Sequence, residues 1–75
     1  MLPNTLMKIG QTVSKRRDTL KMTQEKLAAI SGVSPRTIRE VEQSSGNPSL
    51  ETLDKLFDVL GLEIIVRIKN KGIPD

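Results

Sequence analysis

Seven consecutive residues, Ser34-Pro35-Arg36-Thr37-Ile38-Arg39-Glu40, bring together two guanidinium groups, two hydroxyl groups and one carboxylate. On a helix turning by about 100° per residue, Arg36 and Glu40 fall on the side opposite Ile38. A guanidinium can bond guanine O6 and N7 together, and helices that enter the DNA major groove contact bases through their N-terminal residues. The candidate base-contacting residues are therefore Ser34, Pro35, Arg36, Thr37, Arg39 and Glu40.

Glu40 has two candidate roles, and the sequence leaves both open. Its carboxylate can accept a hydrogen bond from cytosine N4. Because it lies four residues after Arg36, it can instead hold that guanidinium in place. Pro35 can offer only its ring edge to a thymine methyl group.

Other polar residues are suited to phosphate oxygens. Gln24 opens the second predicted helix, where backbone N–H groups and the helix dipole also favour an anion; the alternative is an ordinary exposed glutamine. Arg16, near the end of the first predicted helix, can contact phosphate or complement the dipole of its own helix. Groups after the third helix can set register without reading sequence. The candidate phosphate-contacting residues are Gln24, Gln43, Ser44, Asn47 and Arg16.

Charge is unevenly distributed along the chain, whose formal net charge is +3. Residues 1–39 contain eight Lys or Arg and two acids, whereas residues 40–75 contain four and seven. The basic half contains every candidate base-contacting residue except Glu40, as expected for a surface that meets phosphates, although an ordinary solvated face carries charges as well. Arg17 and Glu42, one from each half, are predicted to form an ion pair that ties the first helix to the third.

Four helices are predicted to position these residues. Apolar spacing predicts the first over Asn4–Lys21, capped by Asn4 or Thr5, and the second and third over Gln24–Ser31 and Pro35–Gln43. Thr23 and Ser34 are N-caps, and Gly32 turns the chain between the second and third helices. These two helices share an apolar seam of Leu27, Ile30, Val33, Ile38 and Val41. Ser49 caps a fourth helix with the apolar face Leu50, Leu53, Leu56, Phe57 and Leu60, and Gly61 ends it.

The pattern changes to a period of two after Gly61, which predicts a β-strand over residues 62–69. Leu62, Ile64, Val66 and Ile68 share one face. Because a lone strand is not stable, we expect it to pair with the same strand of a second copy; wrapping onto its own helices is the alternative. Residues 70–75 are expected to be a flexible tail, which leaves residues 1–61 as the helix-turn-helix domain.

Composition excludes several classes of function. The 75 residues contain no Cys and no His, so thiolate or histidine metal sites and the commonest general base are absent. With one Phe and no Tyr or Trp, base-stacking modes of single-strand binding are disfavoured. No signal peptide or membrane-spanning run is recognisable. We therefore expect a soluble, cytoplasmic protein that is not an enzyme and uses no cofactor.

The segment from about Leu6 to Leu60 resembles the XRE family, the Cro and phage-repressor type of helix-turn-helix. The matching residues are Thr23-Gln24-Glu25, Leu27-Ala28, Gly32-Val33-Ser34, Thr37-Ile38, Glu42 and Gly46-Asn47-Pro48-Ser49-Leu50-Glu51-Thr52-Leu53. The resemblance implies a mainly α, four-to-five-helix, lambda-repressor-like DNA-binding fold. It also implies base contacts at Ser34, Pro35, Arg36 and Glu40, a phosphate contact at Gln24, and a buried Arg17–Glu42 salt bridge. Pro35 departs from the family, in which many members carry a hydrogen-bonding side chain there.

The ending Leu60-Gly61-Leu62-Glu63-Ile64-Ile65-Val66-Arg67 resembles HipB-type antitoxins. That resemblance implies a homodimer joined by an intersubunit sheet, which represses its own operon at palindromic double-stranded DNA and binds a HipA-type kinase toxin. A free-standing phage or restriction–modification regulator is the alternative within the same class. A protein-interaction adaptor that has lost DNA binding is the alternative outside it.

Overall fold

A computed structural model of the chain describes residues 2–69. Four helices follow one another in this range: α1 (Leu2–Thr19), α2 (Gln24–Ser31), α3 (Pro35–Glu42) and α4 (Leu50–Leu60). The predicted bounds of α2 are correct, and α3 is one residue shorter than predicted because Gln43 is its C-cap. Helix α4 begins directly after its predicted cap and ends at Leu60, with Gly61 as its C-cap.

Helices α2, α3 and α4 begin in the same way. The side chains of Thr23, Ser34 and Ser49 each accept a hydrogen bond from the backbone N–H three residues later. Each cap satisfies one of the helix's unpaired donors and is worth about 1 kcal/mol. Hydroxyl groups placed by the sequence thus set where three of the helices start.

Two helix ends differ from the prediction because a residue other than glycine adopts the left-handed conformation. Lys21 has a φ of 57° and Ser44 a φ of 60°. Around Lys21, Met22 N donates to Arg17 O and Lys21 N donates to Asp18 O, which is the double hydrogen bond of a Schellman motif. Helix α1 therefore stops at Thr19 rather than at the predicted Lys21.

The start of α1 also differs from the prediction. The helix begins at Leu2, ahead of the predicted cap at Asn4 or Thr5. Pro3 does not prevent this, because a proline in the first helical turn lacks only an N–H that would have no partner there.

The core is aliphatic with one aromatic ring. Helix α1 packs on α3 and α4, and α2 packs on the same two helices. Two residues of the predicted apolar faces lie outside the core: Ile30 is 52% exposed and Leu50 is 69% exposed. The short α2 reaches the core through Leu27 and Ala28, and the buried residues of α4 begin at Leu53, three residues after Leu50. The buried core consists of Val13, Leu27, Val33, Ile38, Val41, Leu53, Leu56, Phe57 and Leu60.

Gly10 allows α1 to lie directly against the end of α3. A Cβ at this position would clash with the carbonyl oxygen of Val41 and would lie 3.1 Å from that of Glu42. The clash is with backbone, which cannot move aside as a flexible side chain does. A glycine inside a helix is less stable than alanine by about 1 kcal/mol, and this close contact between helices explains why glycine is present at position 10.

The predicted β-strand over residues 62–69 is not present, since these residues form neither helix nor strand. A strand needs a neighbour to form its hydrogen-bond ladder, and the rest of the described chain is occupied by helices and their connections. Leu62 packs partly against the core, whereas Val66 and Ile68 are 91% and 95% exposed. The tail predicted for residues 70–75 lies outside the described residues.

Candidate nucleic-acid interface

Helix α3 is held by one edge and shows the other to solvent. Ile38 is fully buried and Val41 nearly so, which fixes the helix against α1 and α2. The Arg36 side chain is 85% exposed, and Arg39 is exposed as well. The remaining candidate base-contacting residues lie along the same helix: Ser34 is exposed, and Pro35, Thr37 and Glu40 are half-buried.

Arg36 and Glu40 form an ion pair one helical turn apart. Arg36 Nε lies 3.5 Å from Glu40 Oε2, and 43% of the Glu40 side chain is exposed. A pair so exposed and so long is worth no more than about 0.5 kcal/mol after solvent screening. The geometry agrees with the holding role for Glu40, while the Nη atoms of Arg36 have no bonding partner among residues 2–69.

The hydroxyl of Ser34 is already engaged. Its Oγ accepts from Thr37 N at 3.1 Å and donates to Thr37 Oγ1 at 2.9 Å. Ser34 therefore positions the first turn of α3. Ser49 and Thr52 repeat the same arrangement at the start of α4, with an Oγ to Oγ1 distance of 3.0 Å.

The structure brings Arg17 and Glu42 together and adds Gln24 to them. Arg17 Nε donates to Glu42 Oε2 at 2.7 Å, and Arg17 Nη2 donates to Glu42 Oε1 at 3.1 Å. Only 15% and 8% of the two side chains are exposed. The hydrogen bonds to Glu42 raise the pKa of Arg17 above its ordinary value, against the opposing effect of burial. Gln24 Nε2 donates to the same carboxylate, at 3.0 Å from Oε1.

The sequence contains no local signal for the Gln24–Glu42 bond. The two residues are 18 positions apart and lie at the start of α2 and the end of α3. Only the crossing of the helices brings them together. A glutamine suited to phosphate and a buried ion pair, each recognisable separately, are therefore one hydrogen-bonded unit.

Besides Gln24, two more candidate phosphate-contacting residues have partners inside the protein. Arg16 Nε donates to Leu60 O at 2.7 Å, which satisfies a carbonyl at the end of α4. Ser44 Oγ donates to Leu6 O at 3.3 Å. Gln43 and Asn47, by contrast, are exposed at the end of α3 and in the loop that follows.

A polar groove runs beside α3, between that helix and the start of α4. Thr37 and Glu40 form one wall, and Asn47, Pro48 and Thr52 are among the residues opposite. Sequence reasoning did not single out Thr52, although the Ser-x-x-Thr spacing that Ser49 shares with Ser34 marks it. The groove extends the exposed polar surface of α3 onto the neighbouring loop.

Two further properties concern residues 2–69. None of their helices is both long enough and apolar enough to cross a membrane. Within the same range no cluster of three acidic side chains is placed to hold a metal ion.

Comparison with known proteins identifies the family to which this fold belongs. Residues 13–66 match the helix-turn-helix family model. The immunity repressor protein of Bacillus phage phi105 is 33% identical over 58 residues, which are 77% of this chain and 40% of the phage protein. An uncharacterised HTH-type transcriptional regulator of Haemophilus influenzae is 42% identical over 57 residues, covering 72% of this chain and 58% of the regulator.

A eukaryotic relative extends over nearly the whole chain. Vegetative-specific protein H7 of Dictyostelium discoideum is 36% identical over 73 residues, which are 97% of this chain and 68% of that protein. The chain spans about two fifths of the phage protein and three fifths of the Haemophilus protein. From the family match and these relatives, the chain belongs to the helix-turn-helix family, in its XRE type.

Proposed function

We propose that this chain is a sequence-specific DNA-binding module of a transcriptional repressor, with α3 as its recognition helix. The observation that carries the proposal is the two-sided packing of α3, in which Ile38 is fully buried while the Arg36 side chain is 85% exposed. Such a helix has a fixed orientation and a cationic N-terminal turn, as major-groove recognition requires. The names of two relatives, an immunity repressor and an HTH-type transcriptional regulator, support the regulatory role.

In this proposal, base contacts and phosphate contacts fall to different residues. Arg36 and Arg39 contact base edges, with Glu40 holding Arg36, while the half-buried Pro35 and Thr37 contribute through the part of each side chain that stays exposed. Phosphate contacts fall to Gln24, Gln43 and Asn47. Ser44 is left out of that set because its single hydroxyl proton is donated to Leu6 O, and Arg16 because its guanidinium lies against the end of α4 at Leu60 and Gly61.

We further propose that residues 62–69 join two copies by pairing as antiparallel strands. Support comes from the alternating apolar pattern and from the exposure of the apolar side chains, since Ile65 is 66% and Val66 91% exposed. A second copy would supply the missing ladder partner and cover this segment. A dimer of this kind binds a palindrome with half-sites about 10 bp apart or a multiple of that spacing.

For the wider biological role, the resemblance of the ending to HipB-type sequences supports an antitoxin that represses its own operon and binds a HipA-type kinase. The similarity to a phage immunity repressor favours a second candidate, a free-standing phage regulator. Co-purification with the product of the neighbouring gene distinguishes these two. A kinase-like partner supports the first, and a regulator that purifies alone supports the second.

The DNA-binding proposal is tested by mobility shift and footprinting on the DNA upstream of the gene, across a range of salt concentrations. We expect a protected palindrome and an affinity that falls as salt rises. Failure to shift any specific sequence at low salt would contradict the proposal and favour the adaptor alternative.

The dimer is tested with the double variant Val66→Asp and Ile68→Asp, measured by light scattering. Both side chains are almost fully exposed in the single chain, so the helices should be unaffected while the dimer separates. Leu50→Asp is the matched control, because Leu50 is an exposed apolar residue outside this segment. A dimer that persists in the double variant would exclude pairing through residues 62–69.

A further inference from the structure

Gln24 is bonded within the protein by a group that is itself nearly buried. Its Nε2 donates to Glu42 Oε1 at 3.0 Å, and only 8% of the Glu42 side chain is exposed. Glu42 in turn accepts two hydrogen bonds from Arg17, at 2.7 Å and 3.1 Å. The carboxylate is therefore held by three donors from α1 and α2, at the last residue of α3.

This contact sets the orientation of the Gln24 side-chain amide. An ionised carboxylate only accepts hydrogen bonds, so the amide nitrogen must face Glu42. The opposite orientation would place the amide oxygen against a carboxylate oxygen. One N–H of the amide nitrogen is then used by Glu42, and the second is left to bond an acceptor outside the protein.

The charge of Glu42 is also accounted for. A lone carboxylate beside a DNA phosphate would repel it, and more strongly because the side chain is shielded from water. Arg17 cancels this charge through its two hydrogen bonds, while its Nη1 donates to Met22 O at 2.8 Å and keeps the guanidinium in place. The hydrogen-bonded unit as a whole is neutral.

We infer that Glu42 is a positioning residue for DNA binding: it fixes the Gln24 amide so that the free N–H is presented to a phosphate at the start of α2. The inference rests on the proposed function. The new element is that the Gln24 side chain, which contacts a DNA phosphate, is linked to the recognition helix through the Glu42 side chain, because Glu42 belongs to α3 and Gln24 to α2. The register between phosphate and base contacts is then built into the free protein.

The first test needs neither DNA nor a variant. In the free protein, NMR should show slow hydrogen exchange for one side-chain amide proton of Gln24, at least about tenfold slower than for the exposed Gln11. Gln11 on α1 is the internal control. Equal exchange for the two glutamines would overturn the inference.

The second test is a double-mutant cycle on operator affinity. In the wild-type background, Gln24→Ala should weaken binding about tenfold, since a hydrogen bond to a charged phosphate is lost. In the Glu42→Gln background, the same substitution should weaken it only about twofold, because residues in one hydrogen-bond network are energetically coupled. Thermal unfolding of each variant shows whether the compared proteins are folded. If the Glu42→Gln variant does not fold, the amide-exchange measurement on the wild-type protein still tests the inference.

Glu25→Gln provides the matched background, because it removes an exposed carboxylate next to Gln24 without touching the amide contact. There the tenfold effect of Gln24→Ala should persist. Equal effects in the Glu42→Gln and Glu25→Gln backgrounds, with a wild-type protein that binds its operator, would overturn this inference alone. A wild-type protein that binds no operator would overturn the proposed function as well.

Discussion

Helix α3 carries two glutamates that pair with arginines, and the two pairs behave in opposite ways. Glu42 is 8% exposed and meets Arg17 at 2.7 Å, with a second bond at 3.1 Å. Glu40, two residues earlier, is 43% exposed and meets Arg36 at 3.5 Å across one turn of the same helix. The first pair joins two helices, whereas the second lies along the surface of one.

The difference shows that burial and the number of partners, not residue type, decide what such a pair does. The Arg17–Glu42 pair takes part in four hydrogen bonds, so removing one member leaves a charge without its counter-charge in a site that is largely shielded from water. Among residues 2–69, Arg36 has one weak partner, and its side chain is 85% exposed, so it can exchange that partner for a base edge at little cost. Mutations can therefore distinguish the Arg17–Glu42 pair, which stabilises the fold, from Arg36, which is proposed to contact bases.

The largest expected effect comes from breaking the buried pair. Arg17→Met should lower the free energy of unfolding by about 3 kcal/mol, because Glu42 would remain buried without its counter-charge. Urea unfolding measures the change. Lys15→Met, at an exposed position of α1, should change stability by less than about 0.5 kcal/mol. A loss below about 1 kcal/mol for Arg17→Met would make the two pairs energetically alike.

A smaller loss of stability is expected from pushing apart α1 and α3, the two helices that carry Arg17 and Glu42. Gly10→Ala places a methyl group against the carbonyl oxygen of Val41, at the junction of α1 with α3. We expect a net destabilisation of about 2 kcal/mol in spite of the better helix propensity of alanine. Gln11→Ala is the neighbouring exposed control and should be neutral or slightly stabilising. A stabilised Gly10→Ala variant would show that α1 shifts away freely.

A gain in stability is expected at the turn after α1, which places the Met22 carbonyl that accepts a hydrogen bond from Arg17. Lys21 is exposed with a φ of 57°, a conformation that glycine adopts without steric cost, and Met22 follows it. Lys21→Gly should raise stability by about 0.5–1 kcal/mol, measured by urea unfolding. Lys26→Gly, inside α2, should lower it by about 1 kcal/mol. A destabilised Lys21→Gly would mean that the lysine side chain contributes to the turn.

The smallest effect on stability is expected at the exposed pair. Glu40→Gln should change the free energy of unfolding by no more than about 0.5 kcal/mol, because the pair is long and solvated. Thermal unfolding monitored by circular dichroism is sufficient to measure it. A loss as large as that of Arg17→Met would erase the distinction between the two pairs.

Much of the fold could be predicted because its signals are local. Hydroxyl caps at Thr23, Ser34 and Ser49 and the glycines at positions 32 and 61 set helix ends within a few residues of sequence. The predicted ends of α1 and α3 were wrong by two residues and by one residue, because Lys21 and Ser44 adopt a left-handed conformation that glycine usually occupies. Periodicity also placed Ile30 and Leu50 in the core, since it cannot show how wide the buried stripe of a short helix is.

The candidate site divides in the same way. The solvent face of α3 follows from the position of Ile38 and Val41 alone. The partners of Arg16 and Gln24 do not, because Leu60 and Glu42 lie 44 and 18 residues away and meet them only through helix packing. The ending over residues 62–69 was predicted as a strand from its own pattern, but a ladder depends on a partner that one chain does not contain.

The most direct measurement is the dissociation constant of Arg36→Ala for the operator sequence that the wild-type protein selects from random duplex DNA. We expect binding to weaken by about 10- to 100-fold, the contribution of a bidentate contact to guanine, with unfolding unchanged. Lys55→Ala, which removes an exposed cation from α4, serves as the control for net charge and should leave specificity intact. Equal operator affinity for wild type and Arg36→Ala would contradict the assignment of α3 as the recognition helix.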